Sequence, residues 1–278
     1  MKPARFDYER PTTLAQAFAL LDQDDISVKV LAGGQSLGPM LNFRLVQPEL
    51  LVDVTRIPEL NRVEEDADSV TLGACVTHAA IEDGAVPDPT DGILPAVARG
   101  IAYRAVRTRG TIGGSLVHAD PSADWLACLA ALDAEVIIAG ASARRRVPVA
   151  DFMVGVFETA LRPGELLEAV RIPRLPKGAR WGYYKVCRKT GEFAHAIGAV
   201  LHDPDGDLCR VVVGATEAPP IVLADARELF PAADSGPLAR RFDAAAARRL
   251  LEDRGMGSDA YNLRIHLVAL ARAVQRAQ

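Results

Sequence analysis

The sequence predicts a mixed helix–strand protein, of the α/β or α+β class, that brings two glycine-rich turns together around one phosphate-bearing ligand. Three observations predict it. Strand-period and helix-period segments alternate through residues 1–55. An alternating strand pattern breaks into Ala32-Gly33-Gly34-Gln35-Ser36-Leu37. A second stretch of the same kind follows, Arg109-Gly110-Thr111-Ile112-Gly113-Gly114-Ser115. A strand that ends in glycines carries bare backbone N–H groups to the tip of a sheet, where no Cβ keeps a ligand away.

Taken in order, Thr12 and Thr13 stand ahead of Leu14, Ala17, Phe18 and Leu21, the pattern of an N-capped amphipathic helix with Pro11 before it. Ile26, Val28 and Val30 alternate with Ser27 and Lys29, the period of a half-buried strand, and lead into the first glycine turn. Leu41, Phe43, Leu45 and Val46 read as a short buried segment that Pro48 ends, and residues 50–54 as a compact buried strand. Residues 69–77 form a strand with Val70, Leu72, Ala74 and Val76 on one face. A loop rich in Pro, Gly and Asp covers 84–95, and a short helix is expected over 93–100. Beyond the second glycine turn, Pro121 suits the first turn of a helix predicted over 123–132, with Leu126, Leu129 and Ala130 as a narrow apolar stripe. Residues 135–139 and 144–149 pair as a hairpin. Pro163-Gly164 is a turn, and 166–172 a strand that Pro173 stops. Residues 173–178, with two prolines and a glycine, mark the boundary between an N-terminal unit, 1–175, and a C-terminal unit, 176–278. That second unit opens with strands over 180–187, 196–201 and 208–214, the last two joined by a hairpin turn at 203–207. Two helices close the chain, the last from near Ser258, with Leu263, Leu267, Leu270 and Val274 on one face.

The bulk numbers narrow the function. A chain of 278 residues, 49% hydrophobic with a mean hydropathy of +0.09, suits a soluble globular protein of one large or two ordinary domains. A net charge of −4 and a pI near 5.8 make nucleic acid and anionic membrane poor partners. Cys75, Cys128, Cys187 and Cys209 are far apart, so no metal or cluster spacing is present, and reduced thiols in a cytoplasmic protein are expected. The N-terminus carries charges of both signs, unlike a signal peptide, and no apolar run approaches the roughly 18 residues of a membrane span.

The first glycine turn is not a Walker loop, because Pro39 and Met40 stand where Lys and Ser/Thr are needed. Nor is it a Rossmann fingerprint, because Gln35 replaces the middle glycine. Alone, it reads equally well as a tight turn without a ligand. The second stretch again sets two glycines beside Thr111 and Ser115, and a diphosphate is well held by clustered N–H groups and hydroxyls. Asp120 and Asp124 either accept from sugar hydroxyls or brace the turn. Asp124 reads equally as a first-turn helix charge, worth a few tenths of a kcal/mol.

These residues resemble a known family. Ala32-Gly33-Gly34-Gln35-Ser36-Leu37 and Thr111-Ile112-Gly113-Gly114-Ser115-Leu116, followed by Asp120-Pro121-Ser122-Ala123-Asp124, are similar to the two flavin motifs of the FAD-binding medium subunit of molybdenum hydroxylases. That group includes carbon monoxide dehydrogenase, xanthine dehydrogenase and aldehyde oxidase. Phe6-Asp7-Tyr8 with Pro11 and Thr12 resembles the family's opening, and Arg188-Lys189-Thr190-Gly191-Glu192-Phe193-Ala194 the segment that opens its C-terminal domain. The resemblance implies an α+β architecture. A two-subdomain FAD-binding fold of the vanillyl-alcohol-oxidase (PCMH) type, with subdomains of about 1–55 and 56–175, would precede a small α+β C-terminal domain. It implies FAD between the subdomains, with Ala32, Gly33, Gly34, Gln35, Ser36, Leu37, Thr111, Gly113, Gly114 and Ser115 about the diphosphate and ribityl. Asp120 and Asp124 would lie beside the cofactor, and Ile101, Leu167 and Lys185 would make further contacts. Phe193 would lie against the isoalloxazine, or else be an ordinary core residue.

The departures carry their own expectations. Ser115 replaces the family's commoner Asn, and Gln35 stands where some relatives have His. Gln cannot carry a covalent flavin, so the resemblance implies dissociable FAD. A branched side chain at Gly33 or Gly114 is expected to fill the diphosphate's space. The molybdenum cofactor and 2Fe-2S clusters would belong to a large and a small partner subunit, in a dimer of heterotrimers. This chain would take electrons from the small subunit and pass them to an external acceptor, with no acid or base of its own. His78, His118 and His195 are expected to be structural or to line loops. A non-redox flavin or nucleotide carrier is the alternative, and a flavin reductase of the enolpyruvyl-sugar type a third reading that lacks a proton-donor candidate.

Overall fold

The computed structural model describes residues 2–23, 25–231 and 237–277. The chain opens with β1 (Asp7–Glu9), α1 (Leu14–Leu21), β2 (Val28–Leu31), α2 (Leu37–Asn42) and β3 (Leu50–Asp53). The three strands form a parallel sheet in the order β1-β3-β2. Thr13 caps α1 as its spacing predicts, its hydroxyl accepting from the Gln16 N–H at 3.2 Å. Leu14 and Ala17 of α1 pack on Val52 and Leu50 of β3 in one small core.

One expectation fails here. Of the segment read as buried, only Leu41 is inside, whereas Phe43 and Leu45 are 63% and 72% exposed. Residues 41, 43 and 45 share a face only in a strand. Here Leu41 lies in the last turn of α2, and Arg44, with φ of 56°, turns the chain left-handed before Leu45.

The middle of the chain contains α3 (Pro58–Asn61), β4 (Val63–Glu65), β5 (Ser69–Gly73), α4 (His78–Glu82), α5 (Ile93–Arg99), α6 (Arg104–Arg107), α7 (Ile112–His118) and α8 (Asp124–Ala131). It continues through β6 (Glu135–Ala139), β7 (Arg144–Pro148), α9 (Val149–Phe152), β8 (Met153–Gly155), β9 (Glu158–Thr159) and β10 (Leu166–Pro173). Five strands form an antiparallel sheet in the order β4-β5-β10-β6-β7, which includes the expected β6–β7 hairpin. The strand expected over 69–77 leaves this sheet at Gly73. Ala74 and Val76 stay buried, but their carbonyls accept from the Gly113 and Ile112 N–H groups at 2.9 and 3.0 Å. The chain thus trades a sheet partner for the second glycine motif.

Helix α8 departs from the narrow stripe that was expected, since all eight of its residues are buried. Its sequence, DWLACLAA, holds one polar residue, and a helix apolar all round belongs in an interior. Pro121 lies ahead of the helix rather than in its first turn.

The chain ends with β11 (Arg180–Val186), β12 (Ala196–His202), β13 (Cys209–Gly214), β14 (Ile221–Leu223), α10 (Leu238–Arg241), α11 (Ala244–Asp253) and α12 (Ala260–Arg276). The strands form a four-stranded antiparallel sheet in sequence order. β14 and α10 go beyond the expected strands and helices, being too short to show a period. Ala127 of α8 and Val212 of β13 belong to the same core as Val136 of β6, so one continuous apolar interior holds α8 between the two larger sheets. A second core packs Leu263, Leu270 and Val274 of α12 on Val211 and Val213 of β13.

Candidate functional site

The first glycine motif is the tip of β2. Gly34 has φ of +71°, a conformation that L side chains rarely adopt. At Gly33 the requirement is closeness, because a Cβ there would stand 2.1 Å from the Arg109 carbonyl oxygen. The backbone N–H groups of Gly33, Gly34, Gln35 and Ser36 find no protein acceptor among the described residues. Gln35 donates from its side-chain amide to the Gly33 carbonyl at 3.1 Å, and Ser36 leads into α2 without capping it. Leu37 begins α2, half-buried. A cleft of about 430 Å³ opens beside these groups, lined by Phe6, Tyr8, Ala32, Gly34, Gln35 and Arg109 among others. Consecutive unbonded N–H groups at the rim of a cleft form an anion-binding nest.

The second motif differs from the loop that was expected. It is the start of α7, with Thr111 as N-cap, its hydroxyl accepting from the Gly114 N–H at 3.0 Å. The Ile112 and Gly113 N–H groups reach Val76 and Ala74, and that of Ser115 reaches the Thr111 carbonyl at 3.0 Å. Gly113 is a packing glycine, since a Cβ there would meet Ala74 Cβ at 2.5 Å. Gly114 is exposed, and a Cβ there would lie 4.0 Å from that of Ala32. The two motifs therefore meet as the sequence predicts, with unequal roles. The first leaves its donors free, while the second uses its own to stay folded and offers Gly114 and the half-buried Ser115 as a wall.

Asp120 is half-buried and accepts from the Ser122 N–H at 2.9 Å, a local turn. Asp124 is buried, and both its oxygens are engaged, one by the Tyr183 hydroxyl at 2.6 Å and one by the Lys185 ammonium at 2.8 Å. Lys185 also donates to the Gly100 carbonyl at 3.3 Å. Burial pushes the Asp124 carboxyl above its ordinary value, and the Lys185 charge and the two hydrogen bonds pull it part of the way back. Two residues expected beside the cofactor thus bind one another and join α8 to β11. Tyr183 was missed by sequence reasoning. The signal was the strand period, which sets Tyr183 and Lys185 on one face of β11.

Ile101 bridges to Gly191, so the end of α5 touches the Arg188–Ala194 segment. Arg107 fixes this contact. It donates to the Ile101 and Ala102 carbonyls at 2.9 and 3.0 Å and forms two bonds, at 2.7 and 3.1 Å, with Glu82. No sequence pattern links Glu82 to Arg107. Phe193, in the same segment, is 63% exposed, which overturns its reading as a core residue. Leu167 is buried in the core within β10. It shares that core with Ile112 and Leu116 of α7, and its neighbour Glu168 accepts from the Ala74 N–H at 2.9 Å.

Of His78, His118 and His195, the first two contact other side chains. His78 is buried beneath Gly110, and its Nδ1 accepts from Trp125 Nε1 at 3.1 Å. Burial and the Arg107 charge push its pKa down to about 4, so it is neutral near pH 7. His118 packs on Phe157, ring centroids 5.1 Å apart, and the His195 N–H bonds the Val186 carbonyl.

Residues 4–175 match the family model described as the FAD binding domain in molybdopterin dehydrogenase. The chain belongs to this family. Its relatives include the carbon monoxide dehydrogenase medium chain of Hydrogenophaga pseudoflava, 36% identical over 80% of this chain and 78% of that one. The nicotine 6-hydroxylase medium subunit of Paenarthrobacter nicotinovorans is 34% identical over 85% and 84% of the two chains. Among solved structures, carbon monoxide dehydrogenase from Hydrogenophaga pseudoflava, in a form lacking the Mo-pyranopterin moiety of its cofactor, superposes with a TM-score of 0.89 at 31% identity, covering 100% of this chain and 98% of that one. The cofactor of this flavoprotein family is FAD, and the α+β fold is that of its medium chains. The full-length superposition includes the β11–β14 sheet, which lies beyond the family model. No helix among the described residues is long and apolar enough to cross a membrane.

Proposed function

We propose that this chain holds FAD without a covalent bond and relays electrons from a 2Fe-2S subunit to an external acceptor, as the cytoplasmic flavin subunit of a molybdenum hydroxylase. The observation that carries this reading is the run of four unbonded N–H groups, Gly33 to Ser36, over a cleft in a chain of the FAD family. FAD, when bound, supplies the capacity to take electrons singly or in pairs. The chain's residues bind and orient. The Gly33, Gly34, Gln35 and Ser36 N–H groups would hold the diphosphate, with the Ser36 and Ser115 hydroxyls as further donors. Ala32 and Gly114 shape the walls, Leu37 anchors the turn at the start of α2, and Thr111 and Gly113 hold α7 in place behind them. Asp120 holds the turn after α7. Asp124 and Lys185 hold α8 against β11 beside the cofactor, and Ile101 and Leu167 complete its surroundings. Phe193, exposed on the segment that bridges to Ile101, would meet the ring. Gln35 offers no nucleophile for a covalent link. Residues 1–175 form the unit that holds FAD, and 176–278 a second unit that shares its core.

The partners on this reading are a molybdenum-cofactor large subunit and a 2Fe-2S small subunit, in a dimer of heterotrimers. The large subunit selects the substrate. The medium-chain relatives serve enzymes named for carbon monoxide and for nicotine, which supports that reading. The match over the whole chain, including the β11–β14 sheet, favours a relay subunit over a non-redox carrier. The experiment is purification of the complex from its native source, followed by anaerobic reduction of the iron–sulfur subunit. Bleaching of the flavin band, reversed by the acceptor, is expected. A chain isolated without partner subunits, or a flavin that stays oxidised while the clusters are reduced, would favour the carrier.

A further inference from the structure

The glycine cleft contains an unexplained charge. Among its lining residues Arg109 alone is ionised, the others being apolar, glycine, Tyr or Gln. The other arginines near the two motifs have partners. Arg107 and Arg104 are bound by Glu82, Arg104 also by Asp83, and Arg10 is paired with Asp53 at 3.2 Å. Arg109 has no ion pair and its guanidinium no hydrogen bond among the described residues, and it is exposed. Its backbone is nevertheless fixed. The Arg109 and Gly110 N–H groups both donate to the Val106 carbonyl, at 3.1 and 2.7 Å, and the Arg109 carbonyl lies against Gly33. The side chain is therefore rooted at the lip of the cleft, beside the four free N–H groups.

We infer that Arg109 is the cation that neutralises the diphosphate of the bound flavin nucleotide, an assignment that rests on the FAD reading of the cleft. A diphosphate brings two negative charges. The backbone N–H nest offers only partial charges, and a chain of net charge −4 provides no general positive field. A guanidinium presents a planar fork that matches two phosphate oxygens, and one without a carboxylate partner loses no existing ion pair when it binds them. Gly33 and Arg109 then act together, with Gly33 lacking a Cβ so that the Arg109 backbone can approach the nest that its side chain completes.

The test uses the purified complex stripped of flavin, titrated with FAD and with riboflavin, which lacks the diphosphate, at several NaCl concentrations. Wild-type affinity for FAD should fall as salt rises, while that for riboflavin should not. Arg109→Gln should weaken FAD about tenfold or more, leave riboflavin unchanged and flatten the salt dependence. Arg109→Lys should recover part of the affinity, since it restores the charge without the fork. FAD binding by Arg109→Gln at wild-type strength, or an equal loss for both ligands, would overturn the assignment. So would a wild-type FAD affinity indifferent to salt, a result that needs no variant to fold. A wild type that binds neither ligand would overturn the FAD reading itself.

Discussion

Gly33→Ala is expected to weaken FAD binding by about 10- to 100-fold. The added methyl would stand 2.1 Å from the Arg109 carbonyl oxygen, 2.7 Å from its carbon and 2.8 Å from Gly110 Cα. All three are backbone atoms, so no rotamer relieves the clash, and overpacking of this kind costs about 1–3 kcal/mol. Either the 32–36 turn or the 109–111 segment must move, and either movement parts the N–H nest from the wall that faces it. The sequence-based expectation was loss of FAD because a side chain would fill the diphosphate's space. The structure keeps the outcome and changes its cause, which predicts that alanine, and not only valine, is damaging. Equilibrium dialysis against FAD with a parallel thermal melt checks this. A Gly33→Ala protein with native affinity would show that the two motifs need not touch.

Lys185→Met should lower the melting temperature by roughly 10 °C. The Lys185 side chain is 10% exposed and that of Asp124, which it binds, 6%. Removing one member of a buried pair leaves the other charge without compensation, at a cost of about 3–5 kcal/mol. For chains somewhat shorter than this one, each kcal/mol shifts the midpoint by about 2–4 °C. Tyr183 still donates to Asp124, and the raised carboxyl pKa lets Asp124 take up a proton, so part of the loss is recovered. Adding Asp124→Asn to Lys185→Met should restore some of the stability, because the uncompensated charge is then gone. Differential scanning calorimetry of the two single variants and the double variant measures the coupling. Additive losses would mean that the pair contributes little to joining α8 and β11.

How much of this could be read in the sequence depended on the range of the interaction. Thr13 as a cap, β6 and β7 as a hairpin and the alternation through β2 are local patterns, and they appear in the structure where expected. The meeting of the two glycine motifs also came from sequence, since two stretches of the same unusual type suggest one ligand. Their unequal roles did not. Whether Gly113 exposes its N–H or packs on Ala74 depends on a strand end some forty positions earlier in the chain. The Phe43 and Leu45 misreading has the same root, because apolar residues two apart mimic a strand wherever the chain turns out of a short helix. The Arg107–Glu82 clamp and the Tyr183–Asp124–Lys185 cluster join residues far apart in the chain, where no periodicity reaches. The exposure of Phe193 likewise follows from the tertiary path of its segment, not from its neighbours in sequence.

The most direct measurement is the fate of the flavin when the purified complex is denatured in acid. Free FAD in the supernatant, stoichiometric with this chain, over a colourless precipitate is the expected result. Flavin that remains with the precipitated chain, or a folded chain that cannot be loaded with FAD, would contradict the assignment of Gly33 to Ser36 as a dissociable FAD site.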